Sequence, residues 1–221
     1  MTNLPTSSMD SLELSKMFHE IKNPLTLINS SLQLIEQEHP EVKEFRFWEQ
    51  TMKDLSGLRT LINELSDFQK SGVVRRKLIN VFDFVEDLVE ATEAFLLEQG
   101  TPLTLESIQE DLDFYGDEGK LRQAIINLLK NAAESSSPGN PVELLLTADE
   151  TFLHITVKDH GCGMSEELLS HIFEPFHTTK PFGTGLGLPI VRNILLAHHG
   201  TLSIDSKEGS GTSVTMHLPL Q

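Results

Sequence analysis

Apolar residues recur at Leu14, Phe18, Ile21, Leu25, Ile28, Leu32 and Ile35, in alternating steps of four and three. A helix brings such positions onto one face, and a sustained four-three alternation is the seam of a coiled coil. His39-Pro40-Glu41 interrupts it, since the ring of Pro40 turns the residue before it away from helical backbone. A second run follows through Phe45, Trp48, Met52, Leu55, Leu58, Ile62 and Leu65, with one irregular step near Gly57. Two seam-bearing helices and a short turn make an antiparallel hairpin over residues 12–71. One hairpin cannot cover both of its apolar stripes; two of them about a twofold axis close a four-helix bundle, so the pattern predicts a homodimer. Residues 1–11 are polar and read as a loose N-terminus, too short for a ligand-binding domain.

Ser71-Gly72 ends the second helix, and Arg75-Arg76-Lys77 suits a linker over 72–77. From Leu78 to the end the texture is mixed α/β. Helices are predicted over 83–99, from Asp117 or Glu118 to Ala133, and over 186–198 with Gly200 at the C′ position. Strands are predicted over 103–108, 114–115, 142–147, 152–158, 201–206 and 212–218. Residues 164–183 read as a lid.

The chain has 221 residues and 38% hydrophobic content, enough for one ordinary domain and a smaller helical one. Its net charge of -16 repels DNA and anionic lipid, which argues against nucleic acid and membrane surfaces as partners. No signal peptide is evident, and no uncharged apolar run approaches the roughly 20 residues of a membrane helix. The single cysteine, Cys162, has no internal disulfide partner, which suits a reducing, cytoplasmic compartment.

Five segments carry chemistry. His19 follows the seam residue Phe18 and so sits at the edge of the bundle, within reach of a second domain. Glu20 beside it can accept from Nδ1–H and leave the Nε2 lone pair free as a nucleophile. Asn23, one turn on, can position a water over the same face. On the helix from Asp117, Asn127 and Asn131 share a face; their amide oxygens are hard ligands for Mg2+, and Lys130 would neutralise phosphate charge. Asp159 ends an apolar strand before Gly161-Cys162-Gly163. Its carboxylate can accept from the adenine amine, and the glycines would let backbone approach the base. Gly183-Thr184-Gly185-Leu186-Gly187 opens a helix whose amides and dipole favour phosphates. Between the glycine segments, Phe173 and Phe176 would anchor the lid while Thr178, Thr179 and Lys180 reach a γ-phosphate. Neither a dinucleotide-fold fingerprint nor a P-loop occurs. Each segment alone also reads as an ordinary helix face, turn or loop; the four that follow the His19 segment, in this order, point to ATP with Mg2+.

These segments resemble the H, N, two glycine and F boxes of bacterial sensor histidine kinases, over residues 12 to 221. Thr178-Thr179-Lys180 followed closely by Gly183-Thr184-Gly185-Leu186-Gly187-Leu188 is most similar to the nitrogen-regulatory and sporulation branches. The resemblance implies a phosphoacceptor hairpin followed by a GHKL (Bergerat-type) ATP-binding α/β sandwich, the type shared with gyrase and MutL. It implies autophosphorylation of His19, assisted by Glu20, and transfer to an Asp on a response-regulator receiver domain, with Asn23 supporting a phosphatase reaction. By the same resemblance Asn127 and Asn131 serve Mg2+ and Asp159 reads adenine. His160 and His177 depart from the family pattern, where Asn and Phe or Tyr are usual. Two other readings stay open: a nucleotide-binding scaffold that docks a regulator on the acidic hairpin, and an ATPase without histidine transfer. The latter would carry a general-base Glu on the Asn helix, and Glu134 is seven residues past Asn127. The remaining histidines read as structural or solvated, with His198-His199 placed where a cation suits a helix C-terminus. Glu36 reads as part of a solvated face.

Overall fold

The computed structural model describes residues 11–106, 112–180 and 183–220, which divide into two compact units at Lys70 and Ser71. The loose terminus expected before residue 11, the end of the strand expected to reach Ile108, and lid residues 181–182 lie outside the described residues.

The first unit is a hairpin of α1 (Ser11–Glu38) and α2 (Trp48–Lys70), joined by a 3-10 turn over Pro40–Glu44. Phe18, Leu25, Leu55 and Ile62 form its buried cluster, flanked by Leu14, Ile21, Leu32 and Leu65. These are positions of the two predicted seams. Ile28, Ile35 and Leu58 belong to the same seams but stand 49%, 41% and 44% exposed. Phe45 was expected on the second seam. It precedes α2, in the turn, and is exposed, because the 3-10 segment uses Val42 as its buried residue instead. Glu36 does more than face solvent: it accepts from Trp48 Nε1 at 3.1 Å and pairs with Lys43 at 2.8 Å, tying α1 to the turn and to α2.

In the second unit β1 (Lys77–Asn80) pairs antiparallel with β3 (Asp113–Gly116). The five-stranded sheet has the order β2 (Leu103–Glu106), β4 (Val142–Ala148), β5 (Phe152–Asp159), β7 (Gly211–Pro219), β6 (Thr201–Lys207). Among the described residues of this sheet only the β2–β4 pairing is parallel. The helices are α3 (Val81–Glu98), α4 (Glu118–Ser135), the short α5 (Glu166–His171) and α6 (Gly187–Ala197). Strict alternation on β5 sends Leu153, Ile155, Val157 and Asp159 to the buried face and His154, Thr156 and Lys158 to the other. Helices α4 and α6 pack on the buried face, where Ile125, Leu129, Leu144, Leu186 and Ile194 are completely enclosed.

β1 falls where a linker ended in the sequence reading. Its partner lies more than thirty residues away, so no local pattern announces it. The preceding stretch is also fastened. Asp117 caps α4 by accepting from Lys120 N and also accepts from Arg75 N at 2.7 Å, while its own N–H donates to His198 Nε2 at 2.9 Å. Arg76 donates to the carbonyl of Ala197, at the end of α6.

The end of α6 differs from expectation. His199, not Gly200, takes the left-handed conformation, at φ 59°. Gly200 is needed for space: a Cβ there would lie 2.6 Å from the carbonyl oxygen of His217. His198 is not a solvated cation. It is buried, with Nδ1 on the Ile194 carbonyl at 2.7 Å and Nε2 on Asp117 N, and the pairing fixes a neutral ring protonated on Nδ1. Burial, with Arg76 nearby, lowers its pKa from the ordinary histidine range.

Candidate functional site

On the hairpin, His19 is exposed and follows Phe18, which is 8% exposed and anchored in the cluster. The ring is thus presented from a fixed stretch of helix. Glu20 and Asn23 are exposed too. Among the described residues no hydrogen bond joins His19 to Glu20, as expected of adjacent helical positions, which do not face each other. Pro24 lies inside α1, which continues through it.

In the second unit α4 carries the polar face. The 3.6-residue period turns Leu121, Ile125, Leu128 and Leu129 into the core and leaves Asn127 and Asn131 half-buried. Asn127 Nδ2 donates to the carbonyl of Gly187 at 3.5 Å, which places the start of α6 beside the asparagine face. A Cβ on Gly187 would stand 3.7 Å from Asn131 Nδ2. Lys180 reaches the same face: its Nζ donates to Asn131 Oδ1 at 3.4 Å and pairs with the carboxylate of Glu134. Lys130, expected to serve phosphate, instead stands over the Phe95 ring of α3, 5.9 Å from its centroid. One helical position, 100° of rotation, separates it from Asn131 and sends it to another neighbour. Lys180 is the lysine at the asparagine face. The sequence places Glu134 one turn beyond Asn131, too far from Asn127 for the general base of an ATPase. Positions 127, 131 and 134 follow the i, i+4, i+7 spacing of one face, which is where Lys180 meets Glu134.

Asp159 is 6% exposed at the end of β5. Its Oδ1 accepts from Gly161 N at 2.8 Å and from Thr212 N at 3.2 Å, so the carboxylate is held rigid while Oδ2 takes neither bond. Burial pushes its pKa above the ordinary aspartate range, against the pull of those two N–H donors. Thr212 is a positioning group that no sequence motif marked.

The glycines beside Asp159 have a different reason from the one expected. A Cβ on Gly161 would lie 2.2 Å from the carbonyl oxygen of Ser135, and one on Gly163, at φ 65°, 2.0 Å from that of Lys207. They make room for the protein's own backbone. Cys162 N donates to the Ser135 carbonyl at 3.3 Å, fixing this loop to the end of α4. Nearby, His160 pairs with Glu143 at 2.6 Å, turned toward β4.

The lid and the second glycine run are built together. Phe176 N donates to the Gly185 carbonyl at 3.2 Å, and a Cβ on Gly185 would meet the Phe176 carbonyl carbon at 2.6 Å. Phe176 is 61% exposed with φ 68°, whereas Phe173 is half-buried under Arg192. Thr178 Oγ1 accepts from Lys180 N at 3.1 Å, and a Cβ on Gly183 would crowd it at 2.5 Å. Thr179 is exposed. Leu186 N donates to Thr184 Oγ1 at 3.3 Å; the Leu186 side chain is fully buried, so only its backbone is available to a ligand. The rings of His171 and His177 are tilted by 37° with centroids 5.4 Å apart.

Residues 116–221 match the family described as histidine kinase-, DNA gyrase B-, and HSP90-like ATPase. Sporulation kinase A of Bacillus subtilis (strain 168) is 34% identical over 206 residues, covering 91% of this chain and 33% of that kinase. This chain belongs with the catalytic cores of bacterial sensor histidine kinases. It spans about a third of the length of that curated relative. Full-length ShkA, solved in complex with AMPPNP, shares the fold at 22% identity and TM-score 0.81, over 96% of this chain and 46% of that one. ThkA, solved in complex with the response regulator TrrA, shares it at 24% identity and TM-score 0.68, over 93% of this chain and 60% of that one. The fold is therefore a helical hairpin followed by a GHKL-type α/β sandwich. Among the described residues no helix is long and apolar enough to cross a membrane.

Proposed function

We propose that this histidine kinase core binds ATP with Mg2+ on residues 116–221 and transfers the γ-phosphoryl group to Nε2 of His19. The phosphoryl group then passes to an aspartate of a response-regulator receiver domain. The observation that carries the reading is the exposed imidazole beside a buried anchor on the hairpin, in a chain whose other unit is an ATPase of this family.

Asp159 Oδ2 is the acceptor for the adenine amine, on a carboxylate already oriented by Gly161 and Thr212. Asn127 and Asn131 supply amide oxygens, the hard donors that suit Mg2+, so the residues fit the ion; when bound it neutralises charge on the phosphates. Lys180 leaves Asn131 and Glu134 to meet the γ-phosphate, with Thr178, Thr179 and the amides from Gly183 to Gly187 completing the cradle. The Nε2 lone pair attacks phosphorus in line; the N–P bond forms as the bond to the ADP oxygen breaks. Glu20 takes the Nδ1 proton after a side-chain rotation, and Asn23 orients a water for the separate, hydrolytic phosphatase reaction.

A homodimer is part of the proposal. Ile28, Ile35 and Leu58 lie on the seams and stay exposed on a single hairpin, the surface that a second copy would cover. The receiver partner is supported by the ThkA–TrrA complex. We place the core in the cytoplasm, where ATP and receiver domains meet.

His19→Gln is expected to lose all acid-labile label from γ-labelled ATP while nucleotide binding is unchanged. Label retained in that variant would refute the assignment.

A further inference from the structure

The face of the sheet turned away from α4 and α6 carries a side-chain chain that the kinase reaction does not use. His154 on β5 and His217 on β7 are cross-strand partners. Their Nδ1 atoms face each other at 2.8 Å, with the rings near perpendicular at 78°. Each outer nitrogen is held. His154 Nε2 lies 3.1 Å from Asp149 Oδ2, and His217 Nε2 lies 2.7 Å from Ser203 Oγ. Asp149 is itself pinned: its Oδ1 accepts from Thr151 N, Thr151 Oγ1 and Phe152 N, which hold its carboxyl well below the usual range and keep it anionic.

An anionic Asp149 requires a proton on His154 Nε2. Two bare Nδ1 lone pairs would repel at 2.8 Å, so one proton sits between the rings. A carboxylate or hydroxyl on the outer nitrogen of each imidazole, aiming the inner one, is the arrangement that orients histidine ligands around a metal. We propose that His154 and His217 chelate one divalent transition ion of tetragonal preference, Cu2+ or Ni2+, through their two Nδ1 atoms, with Asp149 and Ser203 as the orienting partners.

The spacing selects the ion. At a metal–nitrogen distance of about 2.0 Å, nitrogens this far apart subtend roughly 90°, the cis angle of a tetragonal site. A tetrahedral ion would need the rings to part to about 3.3 Å. On binding, two N–M bonds replace the hydrogen bond. The bridging proton leaves to solvent if His154 is cationic; otherwise it moves from Nδ1 to Nε2 of His217, where Ser203 Oγ accepts it. Water fills the remaining positions.

The test is titration of the full chain with Cu2+, without nucleotide, read by electron paramagnetic resonance and by thermal unfolding. The expected result is one tight ion per chain with two equatorial nitrogens and a raised Tm. His154→Gln and His217→Gln should each abolish that signal while metal-free Tm and nucleotide binding stay near wild type. Asp149→Asn should keep the two-nitrogen spectrum but bind about tenfold more weakly. His160→Gln should change nothing. No tight site in the wild-type chain, or the same affinity and spectrum in His217→Gln, would overturn the proposal. If a Gln variant loses metal-free stability, the two-nitrogen spectrum of the wild type and its weakening in Asp149→Asn decide the matter.

Discussion

In the hairpin, Phe18, Leu25, Leu55 and Ile62 make one buried cluster, while Leu27, Ile28, Leu34, Ile35 and Leu58 remain exposed. In the ATPase unit, Ile125, Leu129, Leu144, Leu186 and Ile194 are wholly enclosed by one chain. The hairpin has two helices and so one interface of its own; the sandwich has helices on a sheet and closes a core. Stability is therefore intrinsic to the second unit and, in the homodimer proposed above, shared between copies in the first.

Leu129→Ala should cost about 2–5 kcal/mol, independent of protein concentration in chemical unfolding. Ile28→Ala, at a seam position that one hairpin leaves exposed, should instead shift the monomer–dimer equilibrium, with a concentration-dependent Tm read by calorimetry and light scattering. An equal, concentration-independent loss for both would break the comparison.

Within the second unit, Gly163→Ala combines a left-handed backbone with a Cβ against the Lys207 carbonyl and should cost about 1–3 kcal/mol. Gly209 has φ 75° with nothing within 4 Å of a Cβ, so Gly209→Ala should cost about 1 kcal/mol from backbone alone. Denaturant midpoints separate the two.

Asp159→Asn should weaken ATP binding at least tenfold by calorimetry, since a charge-assisted bond to adenine contributes about 1.5–3 kcal/mol. Its effect on Tm should be nil or positive. Burial raises the folded-state pKa, so the ionised form costs stability above that pKa and the cost is relieved as pH falls.

The smallest effect concerns His198. Its folded-state pKa is lowered, so its contribution is present above the ordinary histidine range and lost as pH falls below it. His217 shifts in the same direction. Tm should therefore decline from pH 7.5 toward pH 5.5, and His198→Gln should make that slope shallower without removing it.

Much of this was legible in the sequence because it rests on local periodicity and caps. The four-three seam marked α1 and α2, Asp117 marked the start of α4, and alternation marked β4 through β7. What the sequence hid depends on partners distant in the chain. β1 exists only because β3 lies beside it. Lys130 and Lys180 are equivalent as letters, and only packing decides that the first covers Phe95 and the second meets Asn131. Gly161 and Gly163 were recognised as glycines for a reason of space, but the occupants of that space, Ser135 and Lys207, could not be read off the spacing.

The fastening around Asp117 gives the second unit a rigid handle. Arg75 and Arg76, a few residues past the hairpin, are bolted to the first turn of α4 and the last turn of α6. The stretch that opens the second unit is thereby held at the root of the helix that carries Asn127 and Asn131.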